Sequence, residues 1–340
     1  MYNMIWNVVF KTNGKEYSLG IISDISIESS VDNLADTAVI TLPEAVMNQV
    51  LNLENKIGRG SEVKIQLGYD YEQNIKTEFV GYVQDIVTND SSLKIKCEDA
   101  LFLFRKGVKD EAFKLVSLKK IAQSLINQVN SDYRLVIDGY DDDVYYEKFV
   151  IHQATAYDVL KKLAEETKAN IYFDTEKKEL HIHPPYLEKA GEVVYSMQKN
   201  IEKSSLEYKK ALDRKFEITV ERTNINGKVE SFTTGTTGGD KVTVRVGSLS
   251  SLGIKERATA ELIRRSADAY EGSIDGWLIP FVKPTYTAKI RDKDYPDKDG
   301  SYYVVSVTTS FSESGGKRTV KLGVKLSLPP APSQRGRLSN

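Results

Sequence analysis

The chain is poor in the residues on which most redox and metal sites depend. Among its 340 residues there are one cysteine, three histidines and two tryptophans. A single cysteine cannot build an internal disulfide framework. Cys97 alternates with Leu93 and Ile95 in a strand-like pattern, which predicts a buried and chemically inert thiol.

An excess of charge of either sign is also missing. Lys and Arg total 47 against 48 Asp and Glu, a net charge of −1. A nucleic-acid binder usually carries a basic excess, and so does a protein that docks electrostatically on anionic lipid. No apolar run approaches the ~20 residues of a membrane span, and the N-terminal residues lack the pattern of a signal peptide. We therefore expect no sequence-specific nucleic-acid partner, no membrane-spanning segment, and synthesis in the cytoplasm.

Alternating apolar and polar residues dominate the first part of the chain. In EVKIQLGY the residues Val63, Ile65 and Leu67 share one face, and TAVITL and SLKIKCE repeat the pattern. Period-two alternation with one apolar face predicts antiparallel strands around a single core. We interpret residues 1–107 as a first tube-like β-barrel that ends in the hairpin Phe79–Cys97.

Helical spacing replaces this alternation over residues 108–197. VSLKKIAQSLINQV carries one apolar stripe behind Ser117, a helix N-cap candidate. ATAYDVLKKLAEETKA carries another, with Thr155 and Asp158 spaced as a capping box. The hairpin sequence NIYFDTEKKELHIHPP follows, so the segment is predicted to be a small α/β module.

Strand patterns return over residues 198–327. KFEITVERTNINGKVESFTT contains Asn226-Gly227, a type I′ hairpin signal, and the last hairpin spans Tyr303–Leu326. We predict a second tube-like barrel with a helical insertion at 254–270, followed by a proline-rich extended tail, 328–340. The predicted class is mainly β with α+β: two antiparallel tube-like β-barrels, one fold used twice, flanking a small α/β module.

The few candidate metal ligands do not form a recognisable motif. His181 and His183 leave the same face of one strand, but zinc needs three or four ligands and the remaining histidine, His152, is distant in sequence. Two loops are rich in aspartate, yet neither has the ligand order of an EF-hand. We interpret both loops as solvated turns; their members are Asp138, Asp141, Asp142 and Asp143 in one and Asp292, Asp294, Asp297 and Asp299 in the other.

Signatures of catalysis are equally scarce. TTGTTGGDKV lacks the Gly-Lys-Ser/Thr ending of a phosphate-binding loop and is predicted to be a flexible hairpin loop. No serine sits in a nucleophile elbow, and no carboxylate pair is framed as in a glycosidase. We predict no catalytic residue, no cofactor and no metal ion, and hence a protein that is not an enzyme.

The order of these pieces resembles the baseplate hub proteins of phage tails and contractile injection systems. This is the family of the late control D protein and of the hub part of type VI secretion spike proteins. FVGYVQDIVTNDSSLKIKCEDALFLF is similar to the end of the family's first barrel, and TAYDVLKKLAEETKANIYFDTEKKELHIHPP to its middle module. KERATAELIRRSADAYEGSIDGWLIP and DGSYYVVSVTTSFSESGGKRTVKLGVKL are similar to the helix and final hairpin of its second barrel.

The resemblance implies a structural virion protein rather than an enzyme. It implies a homotrimer whose six barrels form a ring between the hexameric tail tube and the trimeric spike, with other baseplate proteins around it. The particle would be a phage tail or an injection device assembled from proteins made in the bacterial cytoplasm. No muramidase or spike repeat is recognisable in the sequence, so any cutting of the cell wall is expected to come from another chain.

Two alternatives stay open at the level of the sequence. A peptidoglycan-degrading tail enzyme would need two carboxylates that converge in a cleft. A carbohydrate-binding β-protein would usually expose an aromatic platform, and neither of the two tryptophans, Trp6 and Trp277, lies in an aromatic cluster with obvious exposure.

Overall fold

The computed structural model describes residues 3–43, 56–71, 74–88, 92–140, 144–186, 190–296 and 299–326. Strand residues outnumber helical ones by 52% to 16%, which confirms the mainly-β class. Asp141, Asp142, Asp143 and Asp297, and the tail from 328 onward, lie outside the described residues.

The N-terminal β-unit is an antiparallel sheet with the order β3-β4-β7-β6-β5-β1-β2. Side chains that alternate along these strands enclose an aliphatic core, in which Val8, Ile40 and Ile65 are fully buried. The strands are β1 Met4–Thr12, β2 Lys15–Ser18, β3 Asp24–Ser30, β4 Thr37–Pro43, β5 Glu62–Tyr69, β6 Asn74–Thr88 and β7 Ser92–Glu98.

The central module follows and contains most of the helical residues. Ser117 Oγ accepts from the Lys120 amide, and Thr155 and Asp158 form the capping box, so both predicted helix starts are confirmed. The elements are α1 Leu101–Phe104, β8 Glu111–Ser117, α2 Leu118–Val129, β9 Arg134–Ile137, β10 Tyr145–Ile151, α3 Ala156–Thr167, β11 Asn170–Asp174 and β12 Glu179–His183.

The C-terminal β-unit is assembled from two separated segments. Its strands pair in the order β14-β20-β23-β22-β21-β13, around a core to which Tyr195, Tyr270 and Tyr302 contribute. The strands are β13 Glu192–Ser196, β14 Lys203–Ser204, β15 Glu207–Lys209, β19 Ala269–Glu271, β20 Ser273–Gly276, β21 Thr287–Arg291, β22 Gly300–Ser312 and β23 Gly315–Lys325.

The segment between β15 and β19 forms a separate sheet and a helix that pack on the central module. Ile218, Val220 and Ile254 belong to the same buried cluster as the central helices. The sequence grouped these strands with the second barrel, because alternation shows that a strand has a buried face but not what covers it. The elements are β16 Phe216–Thr223, β17 Val229–Gly235, β18 Asp240–Val246 and α4 Ser251–Ser266.

Two local expectations need correction. Only Gly227 has a positive φ in the Asn226-Gly227 turn, so the turn is not type I′; instead Asn224 Oδ1 accepts from the Asn226 and Lys228 amides. The second β-unit is not purely antiparallel, because β13 runs parallel to β21. This is possible because β13 reaches the sheet from the central module and not through a hairpin.

The two β-units share one strand order. In sequence, β1, β3, β4, β5, β6 and β7 of the first correspond to β13, β14, β20, β21, β22 and β23 of the second, and the spatial neighbours also correspond. All the corresponding pairs are antiparallel except β13 with β21. The units are joined because β22 also pairs with β3, so that these twelve strands, together with β2, β15 and β19, form one 15-stranded sheet. Within the described ranges, no pairing closes either unit into a barrel by itself.

Candidate functional site

The junction between the β-units is the most constrained polar region of the molecule. Along β22, Ser306–Ser312 pair antiparallel with β3, opposite Asp24–Ser30. The first half of β22 pairs on the same edge with β21, so one strand serves both units. Backbone hydrogen bonding therefore fixes the two units in one register.

A buried ion pair lies beside this junction. Arg318 of β23 is 1% exposed, and its Nη2 lies 2.5 Å from Oε1 of Glu78 on β6. Its Nη1 donates to the carbonyl oxygens of Leu278 at 2.6 Å and Pro280 at 2.7 Å. The guanidinium therefore ties together the hairpin strands of both units and the segment that contains Ile279.

Without Arg318, the buried carboxyl group of Glu78 would favour its protonated, neutral form. Burial raises the pKa of Glu78, although Arg318 acts in the opposite direction. Removing one member of a buried pair leaves an uncompensated charge and commonly costs about 3–5 kcal/mol. Arg318 could have been found from the sequence, because it continues the inward-facing positions Val320, Leu322 and Val324 of β23.

A cavity of about 370 Å³ adjoins the junction and is lined by several carboxyl groups. Asp36 and Asp99 border it and are linked through the backbone: the Asp36 amide donates to Asp99 Oδ2 at 3.1 Å, and the Asp99 amide to the Asp36 carbonyl at 3.0 Å. Burial raises the pKa of Asp36 to about 6 and, together with the charge of Asp36, raises that of Asp99 well above its ordinary value. The pair can retain a proton near neutral pH, and no sequence signal pointed to it.

The predicted histidine pair forms a hydrogen-bonded chain. His181 Nε2 lies 2.9 Å from Glu179 Oε2, whereas His181 Nδ1 lies 3.2 Å from His183 Nε2. The His181 ring stacks on Tyr172 with centroids 4.8 Å apart. Because the two neighbours approach different nitrogens of His181, the three groups do not converge on one point as metal ligands must. His152 is elsewhere, beside Asp110.

In the second aspartate loop, Asp292 and Asp299 accept local hydrogen bonds. Asp292 Oδ1 accepts from the Asp294 and Tyr295 amides, and Asp299 Oδ1 accepts from the Asp292 amide at 2.7 Å. Across the described ranges, no group of three or more His, Cys, Asp or Glu side chains is arranged to hold a metal ion.

The glycine-rich segment is a tight crossover, and the prediction of a flexible hairpin loop was wrong. It links β17 to β18, which lie on opposite sides of β16. Gly235 has a φ of +106°, and an added Cβ would collide with the Phe216 carbonyl oxygen. In the same segment, the Gly238 amide donates to Glu217 Oε2 at 3.0 Å. The glycines permit close backbone approach and do not form a phosphate cradle.

The thiol and the tryptophans have unequal surroundings. Cys97 is buried, as predicted, and burial raises the pKa of its thiol to about 12, so it is a poor nucleophile. Trp6 packs partly buried on the first core, whereas Trp277 is 69% exposed.

No helix within the described residues has both the length and the apolarity to cross a membrane.

Comparisons of sequence found no family model and no curated protein that match this chain. Solved structures do match it. The 43 kDa tail protein of prophage MuSo2 from Shewanella oneidensis has a TM-score of 0.63 at 15% identity, covering 95% of this chain and 100% of that one. A tail protein from Neisseria meningitidis MC58 gives 0.67 at 14% identity, covering 94% and 96%.

A third match comes from a secretion system. The E. coli c3393 protein, a component of the type VI secretion system with structural similarity to the T4 phage tail proteins gp27 and gp5, gives a TM-score of 0.57 at 9% identity, covering 97% of this chain and 81% of that one. These neighbours are phage tail and type VI secretion components, so the resemblance drawn from the sequence is confirmed for the fold.

Proposed function

We propose that this chain is a structural baseplate hub of a phage tail or related injection particle: a homotrimer that joins the hexameric tail tube to the trimeric spike. The observation that carries the proposal is the repeated strand order of the two β-units. Matches to tail proteins over nearly the whole chain support it. Other baseplate proteins would contact its outer surface.

The repeat explains how three chains can face a sixfold partner. Each chain offers two units with the same order of six strands, so three chains offer six similar positions. A threefold axis together with this internal repeat then approximates sixfold symmetry. No further domain is needed for the match.

The contact inside one chain suggests the contact between chains. Inside the chain, β22 of the second unit pairs with β3 of the first. The corresponding strands are β6 and β14, so a ring requires β6 of one copy to pair with β14 of the next. If the rotation that relates one copy to the next is one third of a full turn, three such contacts produce a closed ring.

Both strands have an edge that suits this role. Beyond its pairing with β5, which ends at Tyr82, β6 continues to Thr88. Over Asp85–Val87, no strand in the described part of the chain pairs with the β5 side of β6, whereas the Gln84 carbonyl oxygen accepts from Arg59 Nη1 at 2.8 Å. Glu202 and Ser205, which flank β14, donate their amides to β20 and leave the opposite edge of β14 facing outward. Edges of this kind are templates for pairing with another chain.

Light scattering in solution tests the trimer. The wild type should have three times the chain mass of 38.2 kDa when measured alone or, after the mass of the spike is subtracted, in complex with the cognate spike protein. Val87→Asp places a charge at the β6 edge and should shift the mass towards one chain. Val150→Asp is the matched control, because Val150 is an equally exposed strand valine, 44% against 39%, on the central module. A stable dimer in both conditions would contradict the proposal.

A structural role also predicts the absence of turnover. The pure protein should release nothing from peptidoglycan, and elemental analysis should find no stoichiometric zinc or calcium. Peptidoglycan cleavage that a single carboxylate substitution abolishes would favour the tail-enzyme alternative.

A further inference from the structure

A second and larger cleft, of about 900 Å³, lies where the central module meets both β-units. Its lining comes from the loop between β3 and β4, from α3 and α4, and from β22 and β23. Apolar side chains such as Leu34, Ala164 and Val305 lie among the charged ones. The cleft is distinct from the junction cavity that contains Asp36 and Asp99.

Two residues that line this cleft have strained backbones. Lys168 ends α3 with a φ of 62°, and Tyr186 follows β12 with a φ of 68°. Positive φ is unfavourable for residues other than glycine, and at a helix end the position is usually glycine. Such strain persists where the surroundings enforce it and is concentrated at ligand sites. Lys168 is half-buried and lines the cleft.

Cations exceed anions around Lys168. On α4, Glu261 is 2% exposed and shares its carboxylate with Arg257, Arg264 and Arg265, each within 2.8 Å. Three guanidinium groups thus surround one carboxylate, and the buried Nε of Arg257 has no acceptor among the described residues. Arg264 is the member that also lines the cleft.

The charge of Arg264 reaches Lys168. Burial is the main cause that lowers the pKa of the Lys168 ammonium, and Arg264 is the next. The carboxylates of Asp32 and Glu261 oppose this shift.

The cleft's own acids compensate this charge only in part. Three of them have a cation of their own at the cleft wall: Glu98 with Arg105, Glu271 with Arg214, and Glu165 with Lys161. The remaining lining residues with charge are two acids, Glu28 and Asp32, and three cations, Lys168, Arg264 and Lys321.

We propose that this cleft binds an oxyanion, a carboxylate or a phosphate group, between Lys168 and Arg264. The anion would supply the negative charge that the Lys168–Arg264 wall lacks. The volume exceeds that of one such group, and the apolar residues would contact the rest of the molecule that carries it. Lys168 and Arg264 lie outside the strands proposed for ring formation, although Gln84 of β6 also lines the cleft.

Calorimetric titration with two probes distinguishes the sources of the anion. Inorganic phosphate represents phosphate esters, and a short polyglutamate peptide represents acidic protein segments. At least one should bind, more weakly at high salt because screening reduces ionic contacts. The probe that binds identifies the source.

The decisive variant is Lys168→Gly, which removes the ammonium and relieves the positive φ. Its melting temperature should be equal to or above that of the wild type, while binding becomes at least about tenfold weaker. Arg264→Gln should weaken binding similarly. Lys119→Ala, which removes an exposed lysine of α2 outside the cleft, should leave binding unchanged. Wild type that binds neither probe, unchanged binding by Lys168→Gly, or an equal loss in Lys119→Ala would overturn the proposal.

Discussion

The two β-units have the same strand order but differ in the connection between corresponding strands. In the first unit, β3 reaches β4 through six residues, 31–36. In the second, the corresponding strands β14 and β20 are separated by 205–272, which include a three-stranded sheet and α4. A connection at the end of a sheet can lengthen at small entropic cost, whereas a change of strand order would break every ladder. The sheet order is therefore the constant feature and the connection the variable one.

Their cores differ as well. The first is largely aliphatic, whereas the second contains Tyr195, Tyr270 and Tyr302, with the rings of Tyr270 and Tyr302 4.7 Å apart. Burial raises the pKa of Tyr302 well above its ordinary value. One sheet topology thus accepts two kinds of packing, as expected where volume and pattern matter more than particular side chains.

The largest effect is expected where the units are joined. Arg318→Ala leaves Glu78 buried without its cation and should lower the free energy of unfolding by about 3–5 kcal/mol. Urea denaturation measures this change. Arg291→Ala, at a surface pair with Asp299 3.6 Å apart, should cost less than about 1 kcal/mol. Equal effects of the two substitutions would show that the junction does not hold the units together.

The next prediction concerns where the long connection belongs. Ile218 is fully buried in the central cluster, so Ile218→Ala should cost about 2–5 kcal/mol. Hydrogen exchange should then increase in α2 and α3 and less in β22 and β23. Val320→Ala, in the core of the second unit, should give the reverse pattern. Faster exchange in β22 and β23 for Ile218→Ala would show that the long connection is part of the second unit.

A smaller effect on the free energy of unfolding is expected at Asp36, in the short connection between β3 and β4, and it should depend on pH. The raised pKa of Asp36, about 6 against an ordinary 3.8, means that the folded chain keeps a proton that the unfolded chain loses. This contribution is present below about pH 4 and is lost as pH rises to about 6.

Asp36→Asn stays neutral, so its stability relative to the wild type should rise by about 1–3 kcal/mol between pH 4 and pH 7. Denaturation series at the two pH values measure it. A constant difference between the proteins would contradict the assignment.

The smallest effect is expected at the end of the second unit. The tail contains Pro329, Pro330 and Pro332, which cannot donate to a sheet. Deleting 328–340 should change the free energy of unfolding by less than about 1 kcal/mol. A larger loss in thermal denaturation would mean that the tail packs on the folded chain.

Local features could be predicted from the sequence, and long-range partners could not. The caps at Ser117 and Thr155 depend on residues three positions away, and the strands on their own alternation. The Arg318–Glu78 pair joins residues 240 positions apart. The Asp36–Asp99 pair and the strain at Lys168 likewise depend on which elements meet, which periodicity does not encode. The glycine-rich segment was predicted to be a hairpin loop because the sequence does not show that β16 lies between β17 and β18.

Disulfide trapping tests most directly whether the contact between copies repeats the contact within one chain. Ser26 and Ser310 face each other across β3 and β22, so Ser26→Cys with Ser310→Cys should cross-link within a monomer and serves as the reference. Val87→Cys with Ser204→Cys probes β6 against β14, and buried Cys97 should not interfere. We expect covalent dimers and trimers and no larger species on a non-reducing gel. Only monomers, or a ladder that continues beyond the trimer, would contradict the closed ring built from repeated units.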